Sequence, residues 1–419
     1  VYAFGVVGGL MAQRLIGPLR AIVVGGVLMA LGHLVMALPW GGGLYWALAL
    51  LCVGNGLFKP NVSSSVGALY EEGDRRKAQA YYLFYMGINF GAMLAPVICG
   101  AVADRFGWHF GFGLAGVGML LGLIVLVRGR RLIRPRADVS TLDGPLSLAV
   151  AVGSSLAVIA MIPLCTLLLV VPVLGHLSIG VVSLGVVAAM VVMALRLPPA
   201  GRDRLFALLV LMAFHTAFWA AFEQVGSSFT VLANDHVDRG LMGMEIPAPA
   251  LLAINGLFII TLAPVVSWLW GRLARRGLEP STPAKFGLGL VLLGLGFLVF
   301  AFGIERGQGP GGVALAWMVL CYVLLSVGEL CLSPVGLAMV TELSPRRAVS
   351  FCMGAWFMTY ANGHLLAGWI ASTTTGDVGP SLERYAEVFE RVGLVATGLG
   401  IALAMVRRWL SAMIEGDPA

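Results

Sequence analysis

The chain has 419 residues, of which 59% are hydrophobic and only 11% charged, with a formal net charge of +6 and a mean hydropathy of +0.92. A composition so poor in charge offers no surface suited to water, and the apolar runs recur along the whole length, which excludes a lone leader or anchor. The basic residues sit at the ends of apolar runs without aromatic interleaving, so they mark topology rather than a nucleic acid partner.

Charged, Gly-rich and Pro-rich breaks divide the chain into about thirteen predicted helices. The first, from Val1 to Ala12, carries Tyr2 and stops at Gln13 and Arg14. It is too short to cross a bilayer alone. Helices are then expected over 20–38 and 44–69, the second holding Lys59 in Gly54-Asn55-Gly56-Leu57-Phe58-Lys59-Pro60-Asn61. The helix at 77–102 places Asn89 between Gly87 and Gly91, an amide at a small-residue contact where packing alone would need only the glycines. After 109–127 comes the basic, Pro-containing stretch from Arg128 to Pro145, followed by helices at 146–173 and 177–195 that are poor in polar residues, and by the segment from Arg196 to Arg204. These read as two linkers around an inserted hairpin. The expected organisation is therefore a bundle over 1–127, linker and hairpin over 128–204, and a six-helix bundle over 205–419, two halves around a central site.

Beyond residue 204 the predicted helices cover 205–233, 249–271, 284–303, 313–341, 348–372 and 388–410. The first of these holds Glu223 after Phe218-Trp219-Ala220-Ala221-Phe222, and 313–341 holds Gly328-Glu329-Leu330-Cys331-Leu332-Ser333-Pro334. Pro60 and Pro334 each remove a helical N–H beside a charge, so both helices are expected to be locally broken there. Ser333, one turn after Glu329, either shares its ligand or packs a neighbouring helix. Tyr2, Trp219 and Trp356 are candidates for pocket walls or a lipid belt, and His33, His215 and His364 for packing positions. The six cysteines lie inside apolar runs without metal spacing and read as inert core residues.

The loops alternate in charge. One side collects 21 of the 27 basic residues and the other holds Arg105, Arg239, Arg306, Arg384 and Arg391. Cytoplasmic loops are the basic ones, which places the C-terminus in the cytoplasm. An odd helix count then puts residue 1 outside, so further sequence is expected upstream of Val1: the rest of the first helix and one whole helix before it.

Lys59, Glu223 and Glu329 are the charges stranded at mid-helix. Each costs about 2.5–3.5 kcal/mol at mid-bilayer on insertion scales, so each is a functional candidate. An unpaired buried acid is a natural proton carrier, and a buried lysine needs an anion from protein or substrate. Both are transporter chemistry. No P-loop, nucleophile elbow or zinc-protease motif occurs, which argues against ATP-driven transport within this chain and against an enzyme.

Phe58-Lys59-Pro60-Asn61-Val62-Ser63 and Phe84-Tyr85-Met86-Gly87-Ile88-Asn89-Phe90-Gly91-Ala92 resemble the signature of the proton-dependent oligopeptide transporter (POT/PTR) family of the major facilitator superfamily. Phe218 to Ser228, Asn255 to Pro264, Gly328 to Leu337 and Gly354-Ala355-Trp356-Phe357 extend the resemblance over nearly the whole chain. It implies an all-α polytopic fold of two six-helix bundles, here without the first family helix, with the inserted hairpin typical of bacterial members.

At matching positions it further implies that Lys59 holds the peptide carboxylate and takes part in proton coupling, that Glu223 carries a proton, and that Glu329 binds the peptide amino group. Asn89 and Asn255 correspond to groups that hold the peptide backbone or termini, and Tyr2, Ser333 and Trp356 to cavity positions. The family's Glu-x-x-Glu-Arg cluster would lie upstream of Val1, Gln13 stands where an acid is usual, and Gly256 where a proline commonly follows the asparagine.

The expected function is a proton-coupled importer of di- and tripeptides in the bacterial inner membrane, working by alternating access as a monomer, with the lipid bilayer as its surroundings and no metal, cofactor or nucleic acid. The alternatives are a carrier of another small zwitterion or anion, and a peptide-sensing relative without transport.

Overall fold

A computed structural model describes residues 2–40, 42–71, 73–74, 76–133, 146–241, 244–246, 248–307, 312–375 and 381–415. Most of the basic stretch expected to be a linker, 134–145, lies outside the described residues. Helices α1 (Phe4–Met11), α2 (Pro18–Ala37), α3 (Gly43–Ala68), α4 (Arg76–Phe106) and α5 (Trp108–Ile133) come first. The hairpin follows as α6 (Leu148–Val170) and α7 (Pro172–Leu195), then α8 (Pro199–Phe222) and α9 (Ser228–His236). The chain continues through α10 (Leu252–Arg275), α11 (Thr282–Arg306), α12 (Leu315–Leu343), α13 (Val349–Thr375) and α14 (Leu382–Glu415). Every predicted helix has its counterpart, with 205–233 divided into α8 and α9.

Ten of the described helical stretches are long and apolar enough to cross a membrane. Helices α3 and α13, of 26 and 27 residues, are not among them. Polar side chains interrupt both at mid-length: Asn55, Lys59 and Asn61 in one, Asn362 and His364 in the other.

The chain packs into two units, each gathered from segments far apart in sequence. The first contains Val1–Lys77, Leu94–Leu205 and Leu337–Ala361. Its helices meet through small residues, as association in lipid requires. A Cβ on Gly25 would stand 2.5 Å from the Gly54 carbonyl oxygen, and one on Gly54 would stand 2.6 Å from that of Gly25, so α2 and α3 touch backbone to backbone. Helix α6 adds Val158 and Cys165 to the apolar cluster of Cys52, Val53 and Leu57 on α3.

The second unit contains Ala78–Met93, Phe206–Gly336 and Asn362–Ala419. Phe229 of α9 packs its ring against Phe297 and Phe300 of α11 and Phe389 of α14. Gly289 and Gly328 bring α11 and α12 together, each meeting the other's carbonyl at 2.7 Å from a would-be Cβ. That contact fixes α12 one residue before Glu329.

The prolines do not break their helices. Helix α3 runs through Pro60 and α12 through Pro334. A proline frees the carbonyl four residues before it, and Tyr82 of α4 donates its hydroxyl to the Leu330 carbonyl at 2.9 Å, supplying the missing partner. Beside Pro60, Asn61 donates to the carbonyls of Leu57 at 2.7 Å and Gly8 at 3.4 Å, tying α3 to α1. The interruption falls at Glu223 instead. Helix α8 ends at Phe222, and Glu223–Gly226 form a tight turn before α9. Side chains take up backbone groups around it: Ser227 donates to the Glu223 carbonyl at 3.2 Å, and Gln224 to those of Ala220 at 3.3 Å and Ala367 at 3.0 Å.

Candidate functional site

In the first unit, the half-buried Lys59 points from α3 into an aromatic nest. Its ammonium lies 4.5 Å from the centre of the Tyr2 ring, 4.9 Å from that of Phe357 and 5.5 Å from that of Tyr360. The rings are themselves stacked, Tyr2 on Tyr360 at 5.1 Å between centres. Lys59 also donates to the Tyr2 hydroxyl at 3.3 Å. Ring faces attract a cation without neutralising it, and an ammonium has three donors. Among the described residues no carboxylate lies within ion-pair distance of Lys59, which leaves it suited to an incoming anion.

In the second unit, Glu329 is 2% exposed. One carboxylate oxygen accepts from the Tyr85 hydroxyl and the other from the Asn255 amide at 3.0 Å. Asn255 also donates to Ser326 at 3.0 Å, which anchors its orientation. Tyr82 supports the same wall by accepting from the Trp270 indole at 2.9 Å while donating to Leu330. Neutral donors hold Glu329 in place, and among the described residues no Lys or Arg reaches it. A buried carboxylate in this position is compensated by a proton or a ligand ammonium.

Asn89 donates to the Tyr85 carbonyl one turn back at 3.0 Å. It meets α10 at Gly256, where a Cβ would approach the Asn89 carbonyl oxygen to 3.5 Å. Asn89 and Asn255 thus share one helix crossing. Ser333 is fully buried, and among the described residues its hydroxyl has no hydrogen-bond partner.

Glu223 faces His364 of α13, with 3.4 Å between Oε2 and Nδ1. Their side chains are 26% and 43% exposed, so both remain reachable. Trp219, one turn earlier on α8, donates its indole to His215 at 2.9 Å. Both are buried, which makes His215 a satisfied packing residue and removes Trp219 from the lipid boundary. Trp356 in the first unit is fully buried as well, its carbonyl accepting from Thr359 at 2.6 Å.

Tyr82, Tyr85, Ser326, Phe357 and Tyr360 have no individual role in the sequence pattern, and His364, expected at a packing position, instead faces Glu223. The hydroxyls of Tyr82 and Tyr85 on one apolar helix were a usable signal, since a buried tyrosine tip needs a partner. Among the described residues no three His, Cys, Asp or Glu side chains gather as for a metal ion, and all six cysteines are free thiols.

The POT family model, PTR2, matches residues 19–381. Peptide transporter YePEPT of Yersinia enterocolitica subsp. palearctica is 36% identical, over 98% of this chain and 84% of that protein. Dipeptide and tripeptide permease B of Salmonella typhimurium is 31% identical, over 99% of this chain and 86% of that protein. Among solved structures, a peptide transporter POT variant in complex with alafosfalin shares 33% identity and superposes with a TM-score of 0.76, covering 99% of this chain and 84% of that one. A POT family transporter in complex with a thioalcohol-conjugated peptide shares 27% identity at a TM-score of 0.77, covering 98% and 85% of the two chains.

Proposed function

The chain belongs to the POT family, a family of multi-pass membrane transporters, and from that premise we infer that it imports di- and tripeptides across a bacterial inner membrane in symport with protons. One observation carries this function: Lys59 and Glu329 are opposite charges inside apolar helices, and among the described residues neither has a countercharge within ion-pair distance. A zwitterionic peptide supplies both. In this reading Lys59 of the first unit takes a peptide carboxylate, and in the second unit Glu329 takes a peptide amino group, with Asn255 and Asn89 available to the backbone. Tyr2 supports the Lys59 ammonium in the first unit, and Ser333 and Trp356 are buried side chains of the second and first units. Relatives that match almost the whole chain are a peptide transporter and a dipeptide and tripeptide permease.

Glu223 is the proton carrier in this scheme, with His364 beside it, and Lys59 takes part in coupling. Each proton that enters down the membrane potential releases roughly 2.3 kcal/mol per 100 mV, enough to drive accumulation. The functional division follows the segments 1–127, 128–204 and 205–419, with alternating access between the outer two in a monomer. The basic loops face the cytoplasm, and the C-terminus with them.

Uptake of labelled dialanine into proteoliposomes, with and without an inward pH gradient, tests this. Accumulation only under the gradient supports symport. Binding without accumulation under any gradient overturns it in favour of a sensing role, and transport of other zwitterions in preference to dialanine overturns the substrate class.

A further inference from the structure

Away from Lys59, Glu223 and Glu329, the first unit holds a cavity of about 620 Å³ between α2, α5 and α6. Among the described residues, Arg20 and Arg130 are the charged side chains that line it. Most of the remaining wall is apolar, with Val23, Val24, Val127 and Ile159 among its side chains.

The two arginines belong at one level. Gly26 of α2 meets Leu123 of α5, and Gly116 of α5 meets His33 of α2. Those helices are therefore antiparallel neighbours, and stepping back along this register sets Arg20, in the first turn of α2, opposite Arg130, in the last turn of α5. Arg20 donates to the Ile16 carbonyl at 3.3 Å, which holds its guanidinium near the helix start. Ser154, on the α6 wall, spends its hydroxyl on the carbonyls of Val150 and Ala151.

Two guanidiniums at the membrane end of an apolar groove between transmembrane helices match one class of ligand in both halves, a phosphodiester with hydrocarbon tails. We propose that this cavity binds one anionic phospholipid, its phosphate between Arg20 and Arg130 and its acyl chains running along Val24, Val127 and Ile159. The free anion is the poorer match, because inorganic phosphate would leave the apolar walls uncovered.

Native mass spectrometry on the full chain in phosphatidylcholine nanodiscs, titrated with dioleoyl phosphatidylglycerol, is the test. One phosphatidylglycerol per chain is expected to be retained, with Arg20→Gln/Arg130→Gln weakening it about tenfold or more, as for two lost basic contacts. Arg407→Gln/Arg408→Gln, which removes equal charge elsewhere, leaves binding unchanged. Ser155→Trp fills the cavity with both arginines in place and also displaces the lipid, so the test does not depend on the double variant folding. Equal retention of phosphatidylcholine, saturation by inorganic phosphate at the same affinity, or full binding by both cavity variants overturns the proposal.

Discussion

His364 Nδ1 lies 3.4 Å from the Glu223 carboxylate, at the turn where α8 gives way to α9. A partly exposed pair of this kind is worth about 0.5–1 kcal/mol. His364→Gln keeps a hydrogen-bond donor and removes the imidazole ring that can take a proton. It should lower gradient-driven peptide uptake about two- to fivefold while leaving peptide exchange without a gradient unchanged. Equal loss in both assays would make His364 a packing residue only.

In the proposed scheme Glu223 takes the proton, and Glu223→Gln removes that group while keeping its shape. Driven uptake should be abolished and exchange retained, as measured by labelled-peptide counterflow. Intact driven uptake would move the proton site elsewhere.

Both oxygens of Glu329 are held by neutral donors, so its charge is available to an ammonium. Glu329→Ala should raise the KM for free dipeptides by about tenfold or more, from a lost charge-assisted contact of about 1.5–3 kcal/mol. Amino-blocked peptides should be affected far less. Tyr85→Phe should give the same pattern more weakly, and an equal loss for blocked and free peptides would contradict the assignment.

The Lys59 ammonium rests on three aromatic faces. Tyr360→Ala should weaken binding of peptides with a free carboxylate about two- to tenfold, since one cation–π contact contributes about 0.5–1 kcal/mol, and about 2 where desolvated. Competition assays against carboxyl-amidated peptides check it, and no difference between the two classes would detach Lys59 from carboxylate binding.

Tyr82 fills the gap that Pro334 opens. Tyr82→Phe should lower stability by about 1–3 kcal/mol, because the Leu330 carbonyl and the Trp270 indole both lose their partner. Pro334→Ala restores a helical N–H to Leu330 and should recover part of that loss, read as the coupling in a double-mutant cycle of thermal unfolding.

Apolar run length and loop charge made the helices legible from the sequence, because a bilayer imposes length and polarity on every span. The three stranded charges were legible for the same reason. The breaks were not. Pro60 and Pro334 each signal a local defect, but whether a freed carbonyl finds a partner depends on residues far away in the chain, such as Tyr82 for Leu330. Glu223 carries no proline to announce its turn, and the backbone there is supported by Gln224 reaching Ala367. His364 and Tyr85 likewise acquire meaning only through the acids they face, at separations of 141 and 244 residues that no local pattern encodes.

Proton movement with peptide is the central claim, and it is read most directly by loading proteoliposomes with a pH-sensitive dye, imposing an inside-negative potential and adding dialanine outside. Symport through Glu223 requires peptide-evoked acidification of the lumen in the native chain and none in Glu223→Gln. Peptide entry without acidification, or unchanged acidification in Glu223→Gln, would contradict it.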